Sequence, residues 1–358
     1  MAEGSMTEAQ LVERAQFERV LLRRVQGIDY LPSPAPTEGV SARTRLIDAG
    51  TLQLYRYEPR VPARYKTPLL IVMSTGHRGY VADLARGDSL VEYLLDAGFD
   101  LFMLEWDAPQ LDENYLKLEN YVLDFLPRAA SRVRREAGAE SLSVIGYRVG
   151  GVLSLLWTAL SPERGPRNLV AYATPYDWSR LPLLRPWADR TIFDVDKLIE
   201  RFGCAPVDAL DMRFDLEGDE DPGDQVQLWR TVWAAPHRRA TGMFVRWTAD
   251  MLPQPGELFR QYVKRLLWEN RLLRGSLEVG GRHIDPGRVE AAFLQVFATR
   301  DRIVPAASAQ PLLTAVGSRD KTELVMEGGH ADLWMGAARD RLWPGLAAWL
   351  AERSEQVG

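Results

Sequence analysis

From Thr67 onward, short apolar runs alternate with stretches of helical period. Residues 69–73 (Leu-Leu-Ile-Val-Met), 100–104 and 142–145 are runs of buried-strand type, and residues 87–97 and 117–137 between them carry apolar positions at helical spacing. Uninterrupted apolar strands separated by helices predict parallel strands covered on both faces, hence an α/β sheet. A helix beginning near Val152 and strands over 168–174, 292–298 and 323–326 extend the pattern, and a helix over 338–352 closes it. Upstream, residues 51–57 alternate with period two, as a half-exposed strand does. The near-helical spacing of apolar positions over residues 6–28 predicts an amphipathic helix, ended by Ser33-Pro34-Ala35-Pro36. Between 184 and 273 the pattern is helical and rich in Trp and Arg, broken by the acidic run 215–224. The expected organisation is an N-terminal helical extension (1–42), the first part of an α/β core (43–183), a helical cap insertion (184–273) and the second part of the core (274–358).

Charge and composition narrow the classes. Lys plus Arg number 44 against 49 Asp plus Glu, a net charge of −5, which argues against a broadly basic surface for nucleic acid or anionic membrane. The single cysteine, Cys204, permits no intramolecular disulfide, and no Cys/His spacing suggests a zinc site; neither a metal nor a cofactor is expected. The first twenty residues lack the apolar core of a secretory signal. The longest apolar stretch, 149–160, is shorter than the roughly 18 residues that cross a bilayer. A cytoplasmic protein without a transmembrane segment is the expectation.

Four points fall at strand ends, where ligands bind in open α/β sheets. Gly146-Tyr147-Arg148-Val149-Gly150-Gly151 has the glycine frame of a nucleophile elbow, a sharp strand-to-helix turn that exposes its central side chain. That side chain is ordinarily a nucleophile; here it is Arg148. Asp301 follows strand 292–298, and His330 follows strand 323–326 in Gly328-Gly329-His330. Elbow, acid and histidine come in the chain order of an α/β-hydrolase triad, in which the acid orients the imidazole and the imidazole takes the nucleophile's proton. The fourth point, Ser74-Thr75-Gly76-His77-Arg78-Gly79-Tyr80, follows the first buried strand. An N–H from this loop, at Ser74 or Thr75, and the N–H of Val149 would bind an oxyanion. His77 is either a substrate contact or, the reading the sequence favours, an exposed loop histidine.

At these residues the chain resembles the polyhydroxyalkanoate synthases, most closely the class III catalytic subunit. Besides the elbow, the resemblance is carried by Leu104-Glu105-Trp106, Thr158-Ala159-Leu160-Ser161-Pro162-Glu163, Phe259-Arg260-Gln261-Tyr262, Asp301-Arg302-Ile303-Val304-Pro305 and Gly328-Gly329-His330. It implies an acyltransferase that polymerises (R)-3-hydroxyacyl-CoA through a cysteine thioester and releases CoA. In that family the elbow reads Gly-x-Cys-x-Gly-Gly, the histidine activates the cysteine and the aspartate serves the hydroxyl of the incoming monomer. Asp301 and His330 match these roles, and Arg148 stands at the cysteine's place. A homodimer, or a heteromer with an active synthase or accessory subunit, is implied by the same resemblance, as is association with polymer granules.

The replacement governs what can be carried over. A guanidinium stays protonated and offers no lone pair, so Arg148 cannot attack a thioester. Cys204, expected in the cap as a small buried thiol, and Ser74, which nothing marks as activated, are poor substitutes. Two roles remain for Arg148: an ion pair with Asp301 that fills the site, which the sequence favours, or a cation offered to a bound carboxylate or phosphate. Trp229, Trp233, Trp247 and Trp268 read as core rather than as an acyl tunnel, and His237-Arg238-Arg239 as a solvated face rather than a CoA contact. The expectation is a synthase-like protein lacking its nucleophile, which binds acyl-CoA or partners a true synthase. The alternative is an active acyltransferase or hydrolase that works on (R)-3-hydroxyacyl thioesters or esters through His330 and Asp301.

Overall fold

A computed structural model describes residues 39–207 and 238–357. The helix expected over 6–28, the acidic run 215–224, Trp229, Trp233 and His237 lie outside the described residues. Eight strands form one sheet: β1 (Arg43–Ala49), β2 (Leu52–Tyr57), β3 (Leu69–Val72), β4 (Leu101–Trp106), β5 (Ser143–Tyr147), β6 (Asn168–Tyr172), β7 (Ala292–Ala298) and β8 (Lys321–Met326). Their order across the sheet is β1-β2-β4-β3-β5-β6-β7-β8. β2 runs antiparallel to β1 and β4, and the other neighbours pair in parallel.

Burial explains which strands the sequence made visible. β3, β4, β5 and β6 are buried along their whole length, the outcome expected of unbroken apolar runs covered by helices. β1 escaped the sequence analysis because Arg43-Thr44-Arg45-Leu46-Ile47-Asp48-Ala49 is a half-exposed edge strand, fixed by its pairing to β2 rather than by any pattern of its own.

Local chemistry sets the helix ends. The Ser89 hydroxyl accepts the Glu92 N–H (2.9 Å) at the start of α1 (Leu90–Asp96), and Gly138, in the left-handed region, ends α2 (Leu126–Ala137). The apolar stretch noted in the sequence is α3 (Val149–Leu160), a helix apolar all round and almost wholly buried. The described part of the 184–273 region is mostly helical: α4 (Val195–Phe202), α5 (Arg238–Ala249) and α6 (Gly256–Gln261), which continues as a π-helix over Tyr262–Trp268. The closing helix comes in two pieces, Ala338–Arg341 and α7 (Trp343–Glu352). Pro344 is the reason: it lacks an N–H and fits only the first turn of a helix, so the helix restarts there. Among the described residues no helix is long and apolar enough to cross a membrane.

Candidate functional site

The elbow is built as its glycines require. β5 ends at Tyr147, and Arg148 turns the chain into α3 with φ 48° and ψ −118°, a conformation that side chains avoid at a cost of about 1–3 kcal/mol. Backbone hydrogen bonds hold it there. The Arg148 N–H donates to the Tyr172 carbonyl (3.0 Å), and the Arg148 carbonyl accepts from Gly151 (3.0 Å) and Val152 (3.2 Å). Gly150 lets α3 close on β3: a Cβ there would lie 2.8 Å from the Met73 carbonyl carbon. Arg148 therefore occupies the strained, half-buried apex that the fold normally gives to a nucleophile.

Asp301 and His330 are brought together as the sequence suggested. Asp301 Oδ1 accepts the N–H groups of Ile303 and Val304, both at 2.8 Å, and Oδ2 accepts His330 Nδ1–H at 2.6 Å. Both side chains are buried. Burial alone would raise the Asp301 pKa, but the imidazole and these hydrogen bonds outweigh it and hold the carboxyl below its ordinary value. The expected ion pair between Arg148 and Asp301 does not form. Both carboxylate oxygens already have partners, and the imidazole reaches Oδ2 from the β8 loop.

The sequence analysis missed Tyr147 as a site residue. With Nδ1–H committed to Asp301, the second imidazole nitrogen, Nε2, accepts the Tyr147 O–H at 2.6 Å. Tyr147 is fully buried, with Trp334 perpendicular to its ring at 4.7 Å and Tyr172 at 6.5 Å. Burial raises the phenol's pKa, so it remains a neutral donor. The available signal was position: a tyrosine at the last residue of a buried strand carries its hydroxyl to the end where the acid and histidine loops converge.

The remaining expected residues make no side-chain hydrogen bond to Asp301 or His330. The Ser74 hydroxyl is buried and donates to the Thr75 carbonyl at 3.4 Å rather than to a histidine, and Thr75 Oγ1 donates to Gln254 at 3.5 Å. The Val149 N–H lies in the first turn of α3, where amides lack a partner within the helix. His77 is not the exposed loop histidine expected; its ring packs on Trp247 at 4.9 Å and its backbone bridges to Met251, so it is half-buried. Burial, then the Arg148 charge, lower its pKa well below the ordinary imidazole value, which keeps it neutral. Cys204 is half-buried rather than buried, and burial pushes its thiol pKa up; it pairs with Pro255 in a two-residue strand, away from the elbow.

Arg148, His77, Ser74, Thr75 and Val149 line one cavity of about 190 Å³ between the strand ends and the helical region. Its other walls are mainly apolar, among them Trp178, Trp187, Trp247 and Phe259. Trp247 is thus both core and cavity wall. Trp268 serves structure, its Nε1–H donating to the Trp187 carbonyl at 2.6 Å. Asp301 and His330 do not line the cavity. Among the described residues no cluster of His, Cys, Asp and Glu could hold a metal ion.

The "Poly(3-hydroxyalkanoate) polymerase subunit PhaC" of Allochromatium vinosum is 29% identical over 335 residues, covering 92% of this chain and 94% of that protein. The protein of the same name from Synechocystis sp. is 26% identical over 365 residues, covering 97% and 94%. This chain is similar to the polyhydroxyalkanoate synthases. A Haloferax mediterranei synthase subunit is 29% identical over 85% of this chain, which spans only 62% of that longer relative. No family model matches the chain. Among solved structures, a putative lipase from Sulfolobus solfataricus has a TM-score of 0.57 at 13% identity, covering 87% of this chain and 93% of its own. A monoglyceride lipase from Saccharomyces cerevisiae has a TM-score of 0.56 at 12% identity, covering 90% and 98%. The fold of this synthase-like chain is therefore the α/β-hydrolase fold, as expected, with its elbow apex occupied by a permanent cation.

Proposed function

We propose that this synthase-like chain has lost its nucleophile and binds an acyl group or acyl-CoA without turnover, as a partner of an active polyhydroxyalkanoate synthase. One observation carries the reading: Arg148, which cannot form an acyl intermediate, takes the strained elbow conformation in the wall of a mainly apolar cavity. The Tyr147 hydroxyl on His330 Nε2 supports it, since that nitrogen would have to receive the nucleophile's proton. Among the described residues neither Ser74 nor Cys204 has a side-chain hydrogen bond to a base that would compensate.

The test is CoA release from (R)-3-hydroxybutyryl-CoA by the wild-type protein and by Arg148→Cys, each with and without a thiol reagent. The expected result is no turnover by the wild type and thiol-sensitive release by the variant. Losing a catalytic serine or histidine costs on the order of 10⁶ in the best-measured triad, so the contrast is large. Release by the wild type at a rate abolished in His330→Ala would overturn the reading. It would favour direct activation of water or a hydroxyl by the Asp301–His330 pair, which is fully formed at 2.6 Å.

A further inference from the structure

The cation at the elbow raises the question of what it binds. Asp301 is committed to His330 and two backbone N–H groups, and two loop acids, Asp107 and Asp250, lie at 3.7 Å and 3.5 Å from Arg78. No carboxylate among the described residues forms an ion pair with Arg148. His77 faces the same cavity as a neutral ring, so the guanidinium supplies the positive charge there. The other walls include Trp178, Trp187, Trp247 and Phe259, so the cavity of about 190 Å³ beside the guanidinium is mainly apolar.

We propose that the elbow is a carboxylate receptor: the Arg148 guanidinium binds the carboxylate of a short- or medium-chain aliphatic acid, and the acid's tail fills the apolar cavity. The inference rests on the reading that Arg148 replaces a nucleophile, and it names the ligand of that site. A carboxylate forms two parallel charge-assisted hydrogen bonds with a guanidinium, whereas a thioester carbonyl is a neutral acceptor for one. A phosphate fits less well, because it carries more charge than one cation balances and the cavity has no second charged base among the described residues. The position also suits an anion, because the Val149 and Gly150 N–H groups, which have no backbone acceptor, adjoin Arg148 at the start of α3, where the helix dipole favours negative charge.

The experiment is calorimetric titration of the full chain with octanoate and with 1-octanol, repeated on Arg148→Gln and Arg148→Lys, with thermal unfolding as the check on folding. The expected result is octanoate binding at least about tenfold tighter than 1-octanol binding, a preference lost in Arg148→Gln and partly kept in Arg148→Lys. Equal affinity for acid and alcohol, no binding of octanoate, or an undiminished preference in a folded Arg148→Gln each overturns the receptor. If Arg148→Gln does not fold, the wild-type comparison of acid with alcohol decides alone. The two proposals fail separately. Octanoate preference in a protein that releases CoA keeps the receptor and sinks the nucleophile-deficient reading, and absence of both preference and CoA release does the reverse.

Discussion

Tyr147 and Arg148 are adjacent in the chain, yet they do opposite things to the same site. Arg148 brings a charge to the cavity, while Tyr147 closes the acid–histidine pair from behind with a neutral hydroxyl. If that phenol restrains His330, Tyr147→Phe in an Arg148→Cys background should raise CoA release several-fold over Arg148→Cys alone; an unchanged rate would make the phenol simple packing. Asp301 supports a second expectation. Its pKa lies below the ordinary value near 4, so the stability it contributes is complete above that value and is lost as the pH falls through its lower native pKa. Chemical denaturation from pH 6 down to pH 2 should therefore show a shallower acid limb in Asp301→Asn than in the wild type. Asp301 and His330 were legible in the sequence because each follows a strand in a recognisable loop. The Tyr147 contact was not, because it joins residues 183 positions apart, and strand periodicity carries no record of such pairings.

At the scale of elements, the elbow depends on two backbones meeting without a side chain between them. Gly150→Ala places a Cβ against the Met73 carbonyl, which belongs to the chain just after β3 and has little freedom to move. The expected cost is about 1–3 kcal/mol, read as a lower urea midpoint with an unchanged slope. Helix α3 and strands β3 to β6 were readable in advance because burial on every side forces nearly continuous apolar sequence. Edge strand β1 and the break at Pro344 were read less well. The first lacks a pattern of its own, and the second is a one-residue event inside an otherwise helical stretch.

In the whole molecule, the cavity joins parts that the chain keeps far apart: the turns after β3 and β5, and the helical residues around Trp187, Trp247 and Phe259. CoA release and octanoate binding probe this junction independently, one through the elbow's chemistry and the other through its charge. The sequence by itself determined the sheet's buried strands, the glycine frame of the elbow, the order of acid and histidine, and the inability of Arg148 to act as a nucleophile. These follow from composition, period and functional-group chemistry, which are local properties of a chain. Only the tertiary structure decided that Asp301 serves His330 and not Arg148, that Tyr147 holds the far side of the imidazole, and that His77 is half-buried and neutral. Those outcomes depend on which of several compatible partners lies nearest once distant strand ends converge, and on how much water that convergence excludes.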